Sequence, residues 1–138
     1  MKKLTAVLLT ILLLCSFASC GRKLEASEVY AFPEPTWQIT GMLWSQGQEY
    51  PFVVGPDKYD PNDCSALPVI SWFYGLKLVV CDEPEIVEGA EVYRFDVKGE
   101  EAFCYENRGD CAYVIVDGNY YRVKNPSFPP IEQNCFTK

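Results

Sequence analysis

The chain has 138 residues, with 12 Lys and Arg against 19 Asp and Glu, a formal charge of −7 and no histidine. An acidic balance excludes a nucleic-acid surface, which selects basic faces, and the missing histidine excludes Ser-His-Asp and Cys-His nucleophilic arrangements. An aromatic share of 14% argues against disorder, and the length suits one domain with a modest core.

Met1-Lys2-Lys3 precedes an apolar run from Leu4 to Leu14. Two cations before about eleven apolar residues match the n- and h-regions of an export signal, and the run is too short for a bilayer span of about twenty residues. Phe17-Ala18-Ser19-Cys20-Gly21 follows. This string resembles the lipobox of bacterial lipoproteins, with Ala18 and Ser19 as the small residues before the cysteine and Phe17 where the family prefers leucine. The resemblance covers residues 1–21 alone. It implies a cleaved signal over residues 1–19 and acyl chains on Cys20, which would anchor the chain to the outer side of the cell membrane. Two or more chains hold stably where one is marginal, since each buried methylene contributes about 0.8 kcal/mol. The competing reading is free secretion after cleavage at Ala18. Loss of Lys2 and Lys3 leaves 10 cations against 19 carboxylates, a charge of −9, which also argues against peripheral binding to anionic lipid apart from the Arg22-Lys23 pair.

Residues 20–35 contain few large apolar side chains and include Pro33 and Pro35, so they read as an extended tether. A single mainly-β domain is expected over 36–138. "TWQITGMLW" and "EYPFVVG" are predicted strands around Ser45–Gln48, and "GPDKYDPND" is a loop. "CSALPVISWFY" predicts a short helix ending at Gly75, capped by Asp63 or Ser65 with Pro68 in its first turn, followed by a strand over Leu76–Cys81. From Glu91 to Lys124 the pattern predicts a four-stranded antiparallel meander. Its turns fall at Val97-Lys98-Gly99, at "ENRGD" and at Asp117-Gly118, the last a two-residue hairpin signal. Period-two counting puts Tyr93, Phe95, Phe103, Tyr105, Ala112, Val114, Tyr121 and Val123 on a core face. Arg94, Asp96, Cys104, Cys111, Tyr113, Ile115, Tyr120 and Arg122 fall on the opposite one. The tail is expected to be pinned through Phe128, Ile131 or Cys135. The expected fold is therefore a small antiparallel β-meander domain, sandwich- or barrel-like, with one short helix.

Seven cysteines occur. Cys15 leaves with the signal, and if Cys20 is acylated the disulfide candidates are Cys64, Cys81, Cys104, Cys111 and Cys135, an odd set. The local pairing is Cys104–Cys111, and Cys64–Cys81 can close the preceding segment. Without acylation six cysteines remain and three bridges are possible, in a compartment that permits them.

No catalytic motif emerges. The acidic pairs at Glu100-Glu101 and Asp82-Glu83-Glu85 read as solvated charge rather than a catalytic dyad. Asp57, Asp60, Asn62 and Asp63 offer hard oxygens for calcium but lack EF-hand spacing, and Pro56 and Pro61 suffice to explain a turn; no metal or cofactor is expected. Arg108-Gly109-Asp110 spells an integrin-type tripeptide, yet these are ordinary turn residues. Trp37, Trp44, Trp72 and the tyrosines are candidates for a ligand platform. Tyr113 and Tyr120, beside Arg94 and Arg122, are the exposed set expected to touch a ligand. The expectation is a membrane-anchored, non-enzymatic binding module for a protein, peptide or envelope glycan. Its alternative is a freely secreted, disulfide-stabilised structural or inhibitor-like domain.

Overall fold

The computed structural model describes residues 21–55 and 66–137. The chain order is β1 (Lys23–Glu25), α1 (Ala26–Val29), β2 (Ile39–Ser45), β3 (Gln48–Val54), α2 (Leu67–Tyr74), β4 (Lys77–Cys81), β5 (Glu91–Val97), β6 (Glu100–Asn107), β7 (Ala112–Val116), β8 (Asn119–Val123) and a 3₁₀ turn at Gln133–Cys135. All eight strands join one antiparallel sheet in the order β1-β4-β8-β7-β6-β5-β2-β3. The domain is mainly β, and the meander is β5 to β8. It is built as one open sheet with α2 on its apolar face, not as two packed sheets.

Three two-residue turns set the pairing. Gln46-Gly47, Lys98-Gly99 and Asp117-Gly118 all have positive φ at both positions, the geometry that matches the twist of flanking strands. The turn after β5 is thus one residue shorter than the three-residue loop expected from sequence, because Val97 pairs directly with Glu100. Left alone, that change would invert every side chain of β6. A register shift between Phe95 and Asp96 compensates: Asp96 pairs with Glu101, but Phe95 pairs with Phe103. The extra residue, Ala102, is buried beside Phe103. The bulge restores parity, and Tyr93, Phe95, Phe103, Tyr105, Ala112, Val114 and Val123 all lie buried.

The core is aromatic. Phe103 is fully buried between Phe73 of α2, at 4.2 Å between ring centroids, and Phe95, at 4.6 Å. Phe52 leans on Phe95 at 5.5 Å. Gly41 makes this possible, since a Cβ there would sit 2.3 Å from Phe52 Cζ and 2.1 Å from the Arg94 carbonyl oxygen. Pro68 lies in the first turn of α2 as expected, but the N-cap is Ala66, with no side-chain cap bond. Asp63 and Ser65 lie outside the described residues. At the other end Asn125 Nδ2 donates to the Gly75 carbonyl (3.0 Å) and its Oδ1 accepts from Lys77 N–H (2.7 Å), so one side chain satisfies two backbone groups at the helix-to-strand corner.

Residues 23–35 are part of the fold rather than a spacer. β1 pairs with β4 in the register Lys23↔Val79 to Glu25↔Lys77. The pairing extends outward, with Gly21 N–H on the Val80 carbonyl and Val80 N–H on the Arg22 carbonyl. Ala26 and Phe32 are buried, and Phe32 N–H donates to Tyr74 Oη at 2.9 Å. The absence of long aliphatic runs concealed this, because a three-residue strand and two buried side chains leave little pattern. At the other end, Tyr105 Oη donates to the Ser127 carbonyl (2.8 Å) and Trp72 Nε1 to Ser127 Oγ (3.0 Å). Phe136 bridges to Phe52 and Cys135 is buried, whereas Phe128 is 68% exposed.

Candidate functional site

The second face of the sheet carries the residues expected to touch a ligand, and the strand order divides them. Tyr113 on β7 pairs with Arg122 on β8, and Tyr120 pairs with Ile115 and Cys81. Arg94 sits on β5, three strands from Tyr120, opposite Cys104. It is committed locally: its Nε lies 2.9 Å from Asp96 Oδ1 and 3.5 Å from Glu101 Oε2, and the Asp96 hydrogen bond holds its guanidinium further in the charged form. Tyr113 is covered by Arg108, whose guanidinium lies 4.9 Å from the ring centroid. Tyr120 Oη reaches Glu83 at 3.3 Å, so the connection leaving β4 passes over this end of the face. Tyr113, Tyr120 and Arg122 are neighbours, but the four do not form one site with Arg94.

The Arg-Gly-Asp tripeptide is not presented as a recognition loop. Arg108 Nε is bound to Glu106 Oε1 at 2.6 Å, and its side chain is only 9% exposed. Asn107 Oδ1 accepts from Gly109 N–H, an Asx turn that shapes the loop. Arginine is used to close the turn onto Tyr113, leaving Asp110 alone at the tip.

No disulfide joins the described cysteines Cys81, Cys104, Cys111 and Cys135. The register rules out Cys104–Cys111. Ile115 stands opposite Cys104, and Cys111 lies four residues further along, roughly 13 Å at about 3.3 Å per residue, well beyond the reach of a bridge. The sequence suggested a bridge because the two residues flank a turn, but they sit at different heights on its arms. The Cys104 thiol is pushed up to about 12, first by burial and then by Glu101, so it is protonated and unreactive at neutral pH. Cys64, and with it a Cys64–Cys81 pairing, lies outside the described residues, as do Cys20 and the acidic loop at 57–63. Among the described residues no three metal-ligating side chains cluster, and no helix is long and apolar enough to cross a membrane.

The three tryptophans have separate fates. Trp72 is half-buried against Tyr105 and Phe95. Trp44 Nε1 donates to Glu49 across the β2–β3 pair at 3.0 Å. Trp37, just before β2, is 69% exposed. It flanks a groove of about 260 Å³ whose wall holds Thr36, Gln38, Thr40, Asp96 and Lys98. Separate segments build this groove: the Pro35–Gln38 approach with Thr40 at the start of β2, and the end of β5 with the Lys98-Gly99 turn that follows it. Thr40 pairs with Asp96 across the β2–β5 ladder, which fixes two of the walls. Thr36 Oγ1 donates to the Pro33 carbonyl, and Arg94 pins Asp96 at the groove edge. An apolar ring thus stands over hydroxyl, amide, carboxylate and ammonium groups held by sheet and turn. Sequence reasoning reached Trp37 as an aromatic platform but not its polar companions; Thr36, Gln38 and Thr40 are its chain neighbours, whereas Asp96 and Lys98 lie about sixty residues away and meet it only through the β2–β5 pairing.

No family model, curated protein or solved structure matches the chain.

Proposed function

We propose that the chain is an extracytoplasmic lipoprotein, held in the membrane by acyl chains on Cys20, whose domain is a non-enzymatic binding module taking a sugar ring of an envelope glycan on Trp37. The observation that carries this reading is the 69% exposure of the Trp37 indole at a groove of about 260 Å³. Large aromatic side chains give rigid contact area at low entropic cost, and ligand sites combine such a surface with a few fixed polar groups. The polar set suits a ring rich in hydroxyls. Asp96 accepts, Lys98 donates, Gln38 and Thr40 carry groups able to do both, and Thr36 Oγ1, its proton on the Pro33 carbonyl, accepts, so a ring's hydroxyls find both kinds of partner. A pyranose has an apolar C–H face to lie on the indole, which a purely polar ligand lacks.

The test is calorimetric titration of the mature lipoprotein in detergent with N-acetylglucosamine oligosaccharides, alongside a proline-rich peptide as a competing ligand of the same aromatic surface. Saturable binding of the oligosaccharide, lost in Trp37→Ala, supports the reading. Binding of the peptide alone moves the site to protein recognition. Intact mass of the chain from its host tests the anchor separately: a start at Cys20 with diacylglycerol mass supports it, and a start at Ser19 without lipid overturns it.

A further inference from the structure

The strand order segregates charge along the sheet. β1, β4 and β8, with the residues directly adjoining them, carry Arg22, Lys23, Lys77, Arg122 and Lys124 against Glu25 and Asp82. Counted the same way, β2, β3, β5 and β6 carry Glu49, Glu91, Asp96, Glu100, Glu101 and Glu106 against Arg94, Lys98 and Arg108. A chain of net charge −7 therefore has a basic edge and an acidic one, with uncharged β7 between them. The segregation is hidden in the sequence, because the basic strands come from residues near 23, 79 and 121 and become neighbours only in the sheet.

The basic edge is also where the chain begins its fold. Gly21 N–H is already bonded to the Val80 carbonyl of β4, so no spacer separates residue 20 from the sheet. With acyl chains on Cys20, only one Cα–Cα step of about 4 Å and the thioether-linked glycerol would lie between the β1 edge and the bilayer interface. Along this edge runs a groove of about 460 Å³ with Leu24 and Leu78 on its apolar part and Lys23, Lys77 and Lys124 around it. Glu25 and Glu28 also line it, and Glu25 is neutralised by Lys77 at 2.6 Å.

We propose that the β1–β4–β8 side of the sheet lies against the membrane, with Lys23 and Lys124 on the phosphates of acidic lipid headgroups and Lys77 held by Glu25 between them, so that the domain stands on its basic edge. This rests on acylation of Cys20. Two features argue for lipid as the occupant: the chain enters the fold at this edge without slack, and the edge is complementary to an anionic surface that the remaining strands would repel. The acyl chains supply the affinity and the lysines supply the orientation.

The test is hydrogen exchange on the lipidated full-length mature protein in two vesicle types, phosphatidylcholine alone and phosphatidylcholine mixed with phosphatidylglycerol. In the anionic vesicles, amides of residues 21–29 and 77–81 are expected to exchange several-fold more slowly, with no change over 39–54. High salt and the double variant Lys23→Glu, Lys124→Glu should both abolish the difference. A second variant, Gln48→Glu on the far edge strand β3, should leave it intact. Equal exchange in the two vesicles, or slowing centred on 39–54, overturns the orientation while leaving the anchor in place. Absence of the diacylglycerol mass from the same sample overturns anchor and orientation together.

Discussion

Replacing Trp37 by alanine gives the sharpest separation of binding from folding. A tryptophan side chain offers about 150–250 Å², so its 69% exposure leaves roughly 140 Å² available to a ligand. A sugar ring lying on one face covers about half of that, ~70 Å². At ~25 cal/mol per Å² the contact is worth about 1.7 kcal/mol, a 15- to 20-fold change in affinity. The same exposure means that little is lost from the fold, so stability should shift by less than about 0.5 kcal/mol. Calorimetric titration gives the first number and urea unfolding the second. Trp37→Phe keeps a smaller ring and should fall between alanine and wild type. Unchanged oligosaccharide affinity in Trp37→Ala would remove the indole from the site. A weakened affinity accompanied by a comparable loss of stability would instead make Trp37 a structural residue.

Other expectations test the frame that holds the groove. Phe103→Ala removes a ring stacked on both sides and should cost about 3–5 kcal/mol, read from the urea midpoint; a loss under about 1 kcal/mol would show that the aromatic cluster repacks. Tyr105→Phe removes the hydroxyl that both donates to and accepts from Ser127. It should cost about 1–2 kcal/mol and speed amide exchange over the C-terminal tail, whereas unchanged exchange there would mean that Ile131 and Phe136 suffice to hold it. Cys104 should resist maleimide at neutral pH until the protein unfolds. Because its thiol stays protonated up to about 12 in the fold against an ordinary 9.0, the unfolded state alone ionises between those values. Its contribution therefore destabilises the fold progressively as pH rises from about 9 toward 12. Cys104→Ser should flatten that part of the alkaline unfolding curve, and an unchanged slope would assign it to other groups.

The meander was legible because its strands are long, alternate cleanly and are joined by turns with their own chemistry. Asp117-Gly118 marks its hairpin without help from the rest of the chain. The β5–β6 hairpin shows the limit of such reading. A three-residue loop predicts its two core-facing sets, and the molecule reaches the same faces by a shorter turn and a bulge at Ala102. Parity alone cannot distinguish the two routes, since a bulge and an extra loop residue shift the count equally. The first third of the fold was harder for a different reason. Lys23–Glu25 is too short to alternate, and Phe32 sits between the exposed Ala31 and Pro33, so its burial depends on Phe73 and Phe103 arriving from elsewhere. The cysteine pairing failed on height rather than on face. Cys104 and Cys111 do share a face, but their proximity in sequence measures the length of the turn, not the distance along its arms.

The groove and the basic edge are linked by the same strand order. Trp37 leads into β2, and β2 is the seventh strand counted from β1. Six inter-strand spacings of about 4.8 Å separate them, roughly 29 Å measured along the twisted sheet. If β1 is the strand nearest the lipid, the groove is held toward the far side of the domain, in the aqueous space where a glycan would be met. A flexible tether would let the same groove sample every orientation, including ones facing the bilayer. Building residues 21–25 into the sheet removes that freedom. Under the proposed anchor, the short edge strand β1, which by itself contributes little to stability, would act as a foot: it would fix which end of the sheet meets the membrane and which end is left to a ligand.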